Sequence, residues 1–247
     1  MQALDDIRIA LYRQFGHLTV PDVFDEPTMQ SIIADIETWG ESFLAGLSDK
    51  EKAWYIDGGV TARTVLRKLD NPHAHRDAVM ALARDPALVG LVESLIGPGV
   101  VYFSQIFFKP PEGGGPKPAH QDNFYFGPSR LEGVVTAWIA LDDATLENGC
   151  LYFGEGSNLG PVYPHVAPPD EPYNLQLTEA VLAAQPMMPA PVRRGGVSFH
   201  HGNTFHQSGP NLSRHWRRAC ALHYVSNDTS FDNPALPYDH SLKRAVT

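Results

Sequence analysis

Two cysteines in 247 residues, Cys150 and Cys220, are too few for a disulfide framework. Both stand in apolar, strand-like stretches without metal-type spacing, so they read as reduced core residues of a chain in a reducing compartment. Cytoplasm is the expected location. No apolar run approaches the roughly 20 residues that a membrane span needs. Positions 1–10 carry Asp5, Asp6 and Arg8 where a cleavable signal would be apolar. Neither feature points to a membrane partner. Positive charge is also scarce: 19 Lys and Arg against 28 Asp and Glu give a net charge of −9. The basic clusters at 63–68, 193–194 and 214–218 are short, and none could neutralise a phosphate backbone, which argues against a nucleic-acid partner. There is no internal repeat.

What remains is an ordinary globular composition, 43% hydrophobic and 19% charged, in a chain long enough for one large core or at most two small ones. Apolar residues at Ile7, Leu11 and Phe15 predict a short amphipathic helix over 5–15. A strand over 16–21 should follow, closed by Pro21. Asp25-Glu26-Pro27 opens a strong helix whose stripe is Met29, Ile32, Ile33, Ile36, Trp39 and Phe43, with Gly40 clouding its end. Residues 48–68 are irregular, broken at Gly58-Gly59. Asp85-Pro86 caps and starts another helix, with Leu88, Leu91, Val92 and Leu95 as its apolar face and Gly97 as its stop.

The texture changes at Gly99. β-Branched and aromatic runs at 100–108, 120–126, 134–141, 151–153, 192–200 and 219–225 alternate with Gly/Pro-rich turns. Short strands so spaced, without intervening helices, predict an antiparallel sandwich or barrel, as in jelly rolls that hold a ligand between two sheets. Residues 159–190, with seven prolines, have no clear core face and suit a lid or binding segment. The tail after Asn227 reads as an extended strap. The expected organisation is one domain over 1–247, with a helical part to about 98, a β core over 99–226 and the insertion at 159–190.

Around the second run stands Pro118-Ala119-His120-Gln121-Asp122-Asn123-Phe124-Tyr125-Phe126. On a strand, side chains at i and i+2 share a face, so His120 and Asp122 can converge on one ion. A second imidazole must come from elsewhere, and His200, His201 and His206 compete for that place. Two His and one carboxylate on one side of a metal, with the other positions open, suit a non-haem Fe(II) oxygenase.

Four blocks in order carry a resemblance: Phe108-Lys109-Pro110-Pro111, His120-Gln121-Asp122, the segment 138–151 and His206-Gln207-Ser208-Gly209-Pro210-Asn211-Leu212-Ser213. They resemble the phytanoyl-CoA dioxygenase family, Fe(II)- and 2-oxoglutarate-dependent oxygenases on a double-stranded β-helix. The likeness covers 102–225, while the amino-terminal helices match in general pattern and 159–190 not in detail. It implies a mainly β fold with flanking α-helices around a jelly-roll, cupin-like core. It implies His206 as the distal metal ligand, with His200 and His201 left to packing or hydrogen bonding. It implies Arg217, eleven residues past His206, as the anchor of the 2-oxoglutarate carboxylate, assisted by Ser208. Arg suits that task, being permanently charged and forked. Arg214 and Arg218 are its neighbours. If the 219–225 alternation extends back, Arg217 and Arg218 face opposite ways and only one points inward. Gln105 and Trp138 match positions lining the co-substrate pocket, and Lys68 a further one. The cofactors implied are Fe(II), 2-oxoglutarate and O2.

The implied reaction is oxidative decarboxylation to succinate coupled to attack on a substrate C–H bond. Related iron halogenases replace the carboxylate ligand by a small residue, and Asp122 here favours hydroxylation or another oxidation over halogenation. Asp142-Asp143 and Glu147-Asn148-Gly149 read as turn chemistry, and Lys109-Pro110-Pro111 as a loop former. A zinc hydrolase or isomerase on the same barrel, or a non-catalytic small-molecule binder, are the alternatives. Substrate choice is expected to lie in 159–190, after Tyr55 and near Tyr238, the parts that the blocks do not cover.

Overall fold

Capping fixes the first helices where the sequence puts them. In the computed structural model, which describes residues 3–57, 65–168, 174–232 and 234–246, Asp6–Phe15 is helical and the Asp5 carboxylate accepts from Arg8 N–H at 2.8 Å. Such a cap contributes about 1 kcal/mol. Gly16 ends the helix at φ +81°, and a Cβ there would collide with Thr204 Oγ1. The Gly16 carbonyl instead accepts from the Thr204 hydroxyl at 2.8 Å and from His201 N–H at 2.9 Å, tying this corner to the chain just before His206. The helix Glu26–Gly46 buries Met29, Ile32 and Ile36. It runs through Gly40, which is itself buried because Leu66 packs where a side chain would project. Pro86–Ile96 is capped by Asp85 and stopped by Gly97. Two further helices, Pro72–His75 and Asp77–Ala83, are too short to print a 3.6-residue period on the sequence. The break expected at Gly58-Gly59 lies outside the described residues.

Two antiparallel sheets form the β core. The larger runs His17–Val20, Val197–His201, Val134–Ala140, Arg217–Ser226, Gly99–Lys109, with Lys68–Asp70 and Arg244–Ala245 both pairing on the far edge of the last. The smaller runs Met187–Ala190, Leu151–Gly154, Phe205–Ser208, Lys117–His120. This is the expected jelly roll with flanking helices. The helices cover the outer face of the larger sheet, where Ile106, Ile139, Phe199, Leu222 and Tyr224 meet Met29, Ile36, Leu88 and Leu91. Each such side chain, fully buried, contributes roughly 1.5–3 kcal/mol. A second cluster, including Trp138, Phe153, Ala219 and Ala221, lies between the sheets.

Three expectations are corrected. Residues 120–126 are not one strand: Lys117–His120 stops at the histidine, and Asp122–Phe126 is a short helix ended by Gly127 at φ +58°. Asn123 N–H donates to the Gly202 carbonyl at 2.7 Å, and Phe126 packs on Tyr102 and Phe103, so tertiary contacts override a β-prone aromatic run. The strand expected over 192–200 begins only at Val197, after a turn at Gly195 with φ +80°. The insertion at 159–190 is not wholly irregular. It holds a small ladder (His165–Val166 with Gln176–Leu177), the helix Glu179–Leu182 and the edge strand Met187–Ala190. Its residues 169–173 lie outside the described set.

Candidate active site

Alternation along the larger sheet sorts one face into rows. Register places Phe103 beside His223, His223 beside Thr136 and Thr136 beside His200. The next row is Gln105, Ala221, Trp138 and Ser198, and then come Phe107, Ala219 and Ala140. Lys109 pairs with Arg217 at the far end. Most of these residues line a cavity of about 980 Å³ between the sheets.

At its histidine end the sequence-predicted ligands meet. His120 Nε2 and His206 Nε2 lie 3.7 and 3.6 Å from Asp122 Oδ1. One ligand atom from each of the three residues falls within 4.8 Å of the others. His120 ends its strand, His206 stands directly opposite it on Phe205–Ser208, and Asp122 opens the short helix. Gln121 between them is extended, so the i and i+2 side chains still share a side although Asp122 has left the strand. Gln121 itself is buried, donating to Asn203 Oδ1 at 2.7 Å and accepting from Tyr163 N–H at 2.8 Å. His120 Nδ1 lies 2.9 Å from the Pro118 carbonyl and His206 Nδ1 3.0 Å from that of Thr204. A carbonyl only accepts, so both rings carry their proton on Nδ1 and turn a bare Nε2 toward Asp122. Burial, and for His120 the neighbouring His206, pushes both imidazoles down and keeps them neutral. Burial alone would raise the Asp122 carboxyl. His206, His223 and a hydrogen bond from His200 outweigh that and hold it well below the usual carboxylate range. The donor set is therefore two neutral imidazoles and a carboxylate, as Fe(II) prefers.

At the other end, Arg217 is buried, its guanidinium 5.5 Å from the Trp138 ring, and its Nε has no partner among the described residues. Burial pulls it down to about 9, so it stays charged at neutral pH. A buried cation without a carboxylate is costly, and an anionic guest would satisfy it. Arg218 faces the other way. Its Nε and Nη2 donate to Asp142 at 2.8 Å each, and Glu37 also pairs with it. Burial opposes that charge, but Asp142 outweighs it and pushes the guanidinium up. Asp142 is thus structural, and Asn148 closes its turn on Thr145 N–H and the Asp143 carbonyl. Ser208, Gln105, Trp138 and Lys68 all line the cavity. Gln105 and Lys68 are held by Asp70, at 2.7 and 3.0 Å. Cys150 and Cys220 are buried and unbridged, as expected.

Sequence reasoning missed three participants. Lys109, read as a loop former, donates from Nζ to Ser208 Oγ at 2.9 Å and to the Gly209 carbonyl, beside Arg217. Thr136 and His223 flank Asp122: Thr136 Oγ1 is 2.6 Å from Oδ2, and His223 Nδ1 is 2.8 Å from Thr136 Oγ1. The signal was parity, since Lys109 shares a strand face with Gln105, Thr136 with Trp138 and His223 with Arg217. Of the segments expected to choose substrate, the tail brings Tyr238 to the cavity and the insertion contributes Asn174 among its described residues; positions 58–64 after Tyr55 lie outside the described residues, while Trp54 and Tyr55, just before that segment, reach the cavity.

Comparison with known proteins agrees. The profile of the family described as Phytanoyl-CoA dioxygenase (PhyH) matches residues 12–219. The Mus musculus protein "Phytanoyl-CoA dioxygenase domain-containing protein 1" is 36% identical over 158 residues, covering 62% of this chain and 54% of that protein. The chain thus spans about half the length of such curated relatives. Among solved structures, the non-haem, α-ketoglutarate-dependent carbocyclase SnoK from nogalamycin biosynthesis superposes with a TM-score of 0.78 at 25% identity, over 99% of this chain and 97% of that one. The epimerase SnoN, solved with Fe3+, α-ketoglutarate and nogalamycin RO, gives 0.72 at 26% identity over 95% and 92%. No described helix is long and apolar enough to cross a membrane. A match that begins inside the first helix and ends on the strand that carries Arg217 spans both sheets and both ends of the cavity, and the chain belongs to the phytanoyl-CoA dioxygenase family.

Proposed function

We propose that this protein is an Fe(II)- and 2-oxoglutarate-dependent dioxygenase that hydroxylates an unactivated C–H bond of a small metabolite or natural product, releasing succinate and CO2. The observation that carries the reading is the convergence of His120, Asp122 and His206 at one end of a cavity whose other end holds a buried Arg217 whose Nε has no partner among the described residues. When bound, the iron and 2-oxoglutarate supply the oxidising chemistry with O2. The chain supplies placement. His120 and His206 offer Nε2, Asp122 offers Oδ1, and the backbone carbonyls of Pro118 and Thr204 keep both rings in the ligating tautomer. Arg217 would fork onto the distal carboxylate of the co-substrate. Lys109 already donates to Ser208 Oγ, which frees the Ser208 proton to point at the same carboxylate. Ala221, between Trp138 and Gln105 in the sheet, leaves room on the cavity wall where the chain of a 2-oxo acid would lie.

The substrate would enter past Trp54, Tyr55 and Tyr238, which line the cavity and whose rings would shield the reacting carbon from water. Asp122 occupies the place that a halogenase would leave for chloride, which speaks against halogenation. SnoK and SnoN are named for ring closure and epimerisation. Those reactions would use the same placement here, and product analysis separates them. A zinc hydrolase would leave Arg217 without an anion to bind. The reading takes residues 1–247 as one domain.

The test is anaerobic. Fe(II) and 2-oxoglutarate are added to apoprotein and the visible spectrum is recorded. A weak charge-transfer band in the green, fading in air as succinate accumulates, is the expected result. Iron demonstrably bound with no band would leave the fold standing and remove the oxygenase.

A further inference from the structure

We propose that His200 is a positioning residue for the metal centre: together with Thr136 it holds Asp122 Oδ2, so that the carboxylate presents Oδ1 alone to the ion. This rests on the metal reading above. His200 Nε2 lies 3.2 Å and Thr136 Oγ1 2.6 Å from Asp122 Oδ2. The proton directions follow from the groups. An ionised carboxylate only accepts, so Thr136 gives its single hydroxyl proton to Asp122. His223 Nδ1, 2.8 Å from the same hydroxyl oxygen, must then be the donor in that contact. His200 likewise donates from Nε2. Two donors converge on Oδ2, one of them backed by a third, while Oδ1 faces His120 and His206. A carboxylate so engaged binds through one oxygen. That keeps open the positions that a two-point 2-oxo acid and O2 need.

Packing does not account for a histidine at this place. The ring is buried between Phe153 and His206, at centroid distances of 5.4 and 4.3 Å, opposite Thr136 in the sheet. A phenylalanine would fill the same space without a polar atom. His200 instead carries an Nδ1 that is buried without a partner among the described residues. Such an orphan is rare and destabilising, and what it accompanies is the Nε2–H on Asp122. His201, next in the chain, shows the contrast: its Nδ1 accepts from Asn203 N–H at 3.0 Å, a local turn contact remote from the carboxylate.

The experiment compares wild type with His200→Phe, His200→Gln and Thr136→Val by anaerobic titration of the apoprotein with Fe(II) alone, alongside apoprotein melting curves. His200→Phe keeps the shape and should weaken Fe(II) binding roughly 10- to 100-fold, the usual effect of removing a partner behind a metal ligand. Its apo melting temperature should not fall. His200→Gln, which can offer an N–H from a similar place, should recover most of the affinity. Thr136→Val should weaken binding in the same direction and decides the matter if the Phe variant does not fold. Adding 2-oxoglutarate gives a second readout, because a carboxylate free to swing onto the metal with both oxygens shifts the charge-transfer band. Fe(II) affinity of His200→Phe and Thr136→Val equal to wild type overturns the proposal, as does a Gln variant no better than Phe. Wild type failing to bind Fe(II) would overturn the metal reading itself, a different and separately visible outcome.

Discussion

Arg217 and Arg218 are adjacent in sequence and have opposite assignments, which allows a crossed test. Replacing Arg217 by Met removes a buried guanidinium that makes no ion pair among the described residues. If it forks onto the co-substrate, two charge-assisted hydrogen bonds are lost, each worth about 1.5–3 kcal/mol. Taking the lower value for both, the loss is about 3 kcal/mol, or about 10²-fold in the 2-oxoglutarate dissociation constant. Apoprotein stability should be unchanged or higher, because an unpaired buried charge is replaced by an apolar chain of similar length. Arg218→Met removes both contacts with Asp142 and the one with Glu37. It leaves Asp142 nearly buried without its cation, so about 3 kcal/mol of stability should go, with 2-oxoglutarate affinity changed little. The assays are anaerobic titration of the Fe(II) protein, followed at the charge-transfer band, and urea unfolding of the apoprotein. The reverse ranking in either assay would refute the assignment of Arg217 as anchor.

Other expectations are simpler to state. His120→Ala or Asp122→Ala should abolish Fe(II) binding and turnover while the circular dichroism spectrum stays that of wild type; turnover surviving in either removes the ligand set. Ala221→Leu should fill the room beside Trp138 and raise the 2-oxoglutarate dissociation constant at least about tenfold, with Fe(II) affinity kept. Equal 2-oxoglutarate binding would mean that the co-substrate lies elsewhere. For pH, burial pushes His73 and His201 down to about 4 in the folded chain. Unfolded imidazoles titrate near 6.5, so between about 6.5 and 4 the unfolded state binds more protons. Apoprotein stability should therefore be full at neutral pH and fall as pH drops through that window. His73→Gln should make the fall shallower, and an unchanged slope in the urea midpoint against pH would contradict a buried, neutral His73.

Much of the site was legible because its signals are local. Helix starts announce themselves by residue type, so Asp25 and Asp85, each shortly before a proline, marked starts that the hydrogen bonds reproduce. Parity set Arg217 and Arg218 on opposite faces before any contact was known. The misreadings share a cause. The aromatic run after Asp122 looks like a strand by propensity, but Gly202 and the Tyr102–Phe103 pair hold it as a helical turn. Lys109 looked like a loop residue because its partner, Ser208, lies 99 positions away. Nothing in the neighbourhood of either residue in the sequence encodes that meeting.

The sequence by itself determined the alternating faces, the jelly-roll texture and two of the candidate metal donors, His120 and Asp122, since each depends on residues a few positions apart. The residues alone left three candidates within seven positions for the histidine that meets His120; the resemblance pointed to His206, and strand pairing sets His206 against His120 and His200 against Thr136. The tertiary structure alone decided that Asp122 has Thr136 and His200 behind it, and that Arg217 is buried with no acid paired to it among the described residues. Those are contacts between strands far apart in the chain. Their geometry is fixed by how two sheets close over one cavity, which no local pattern records.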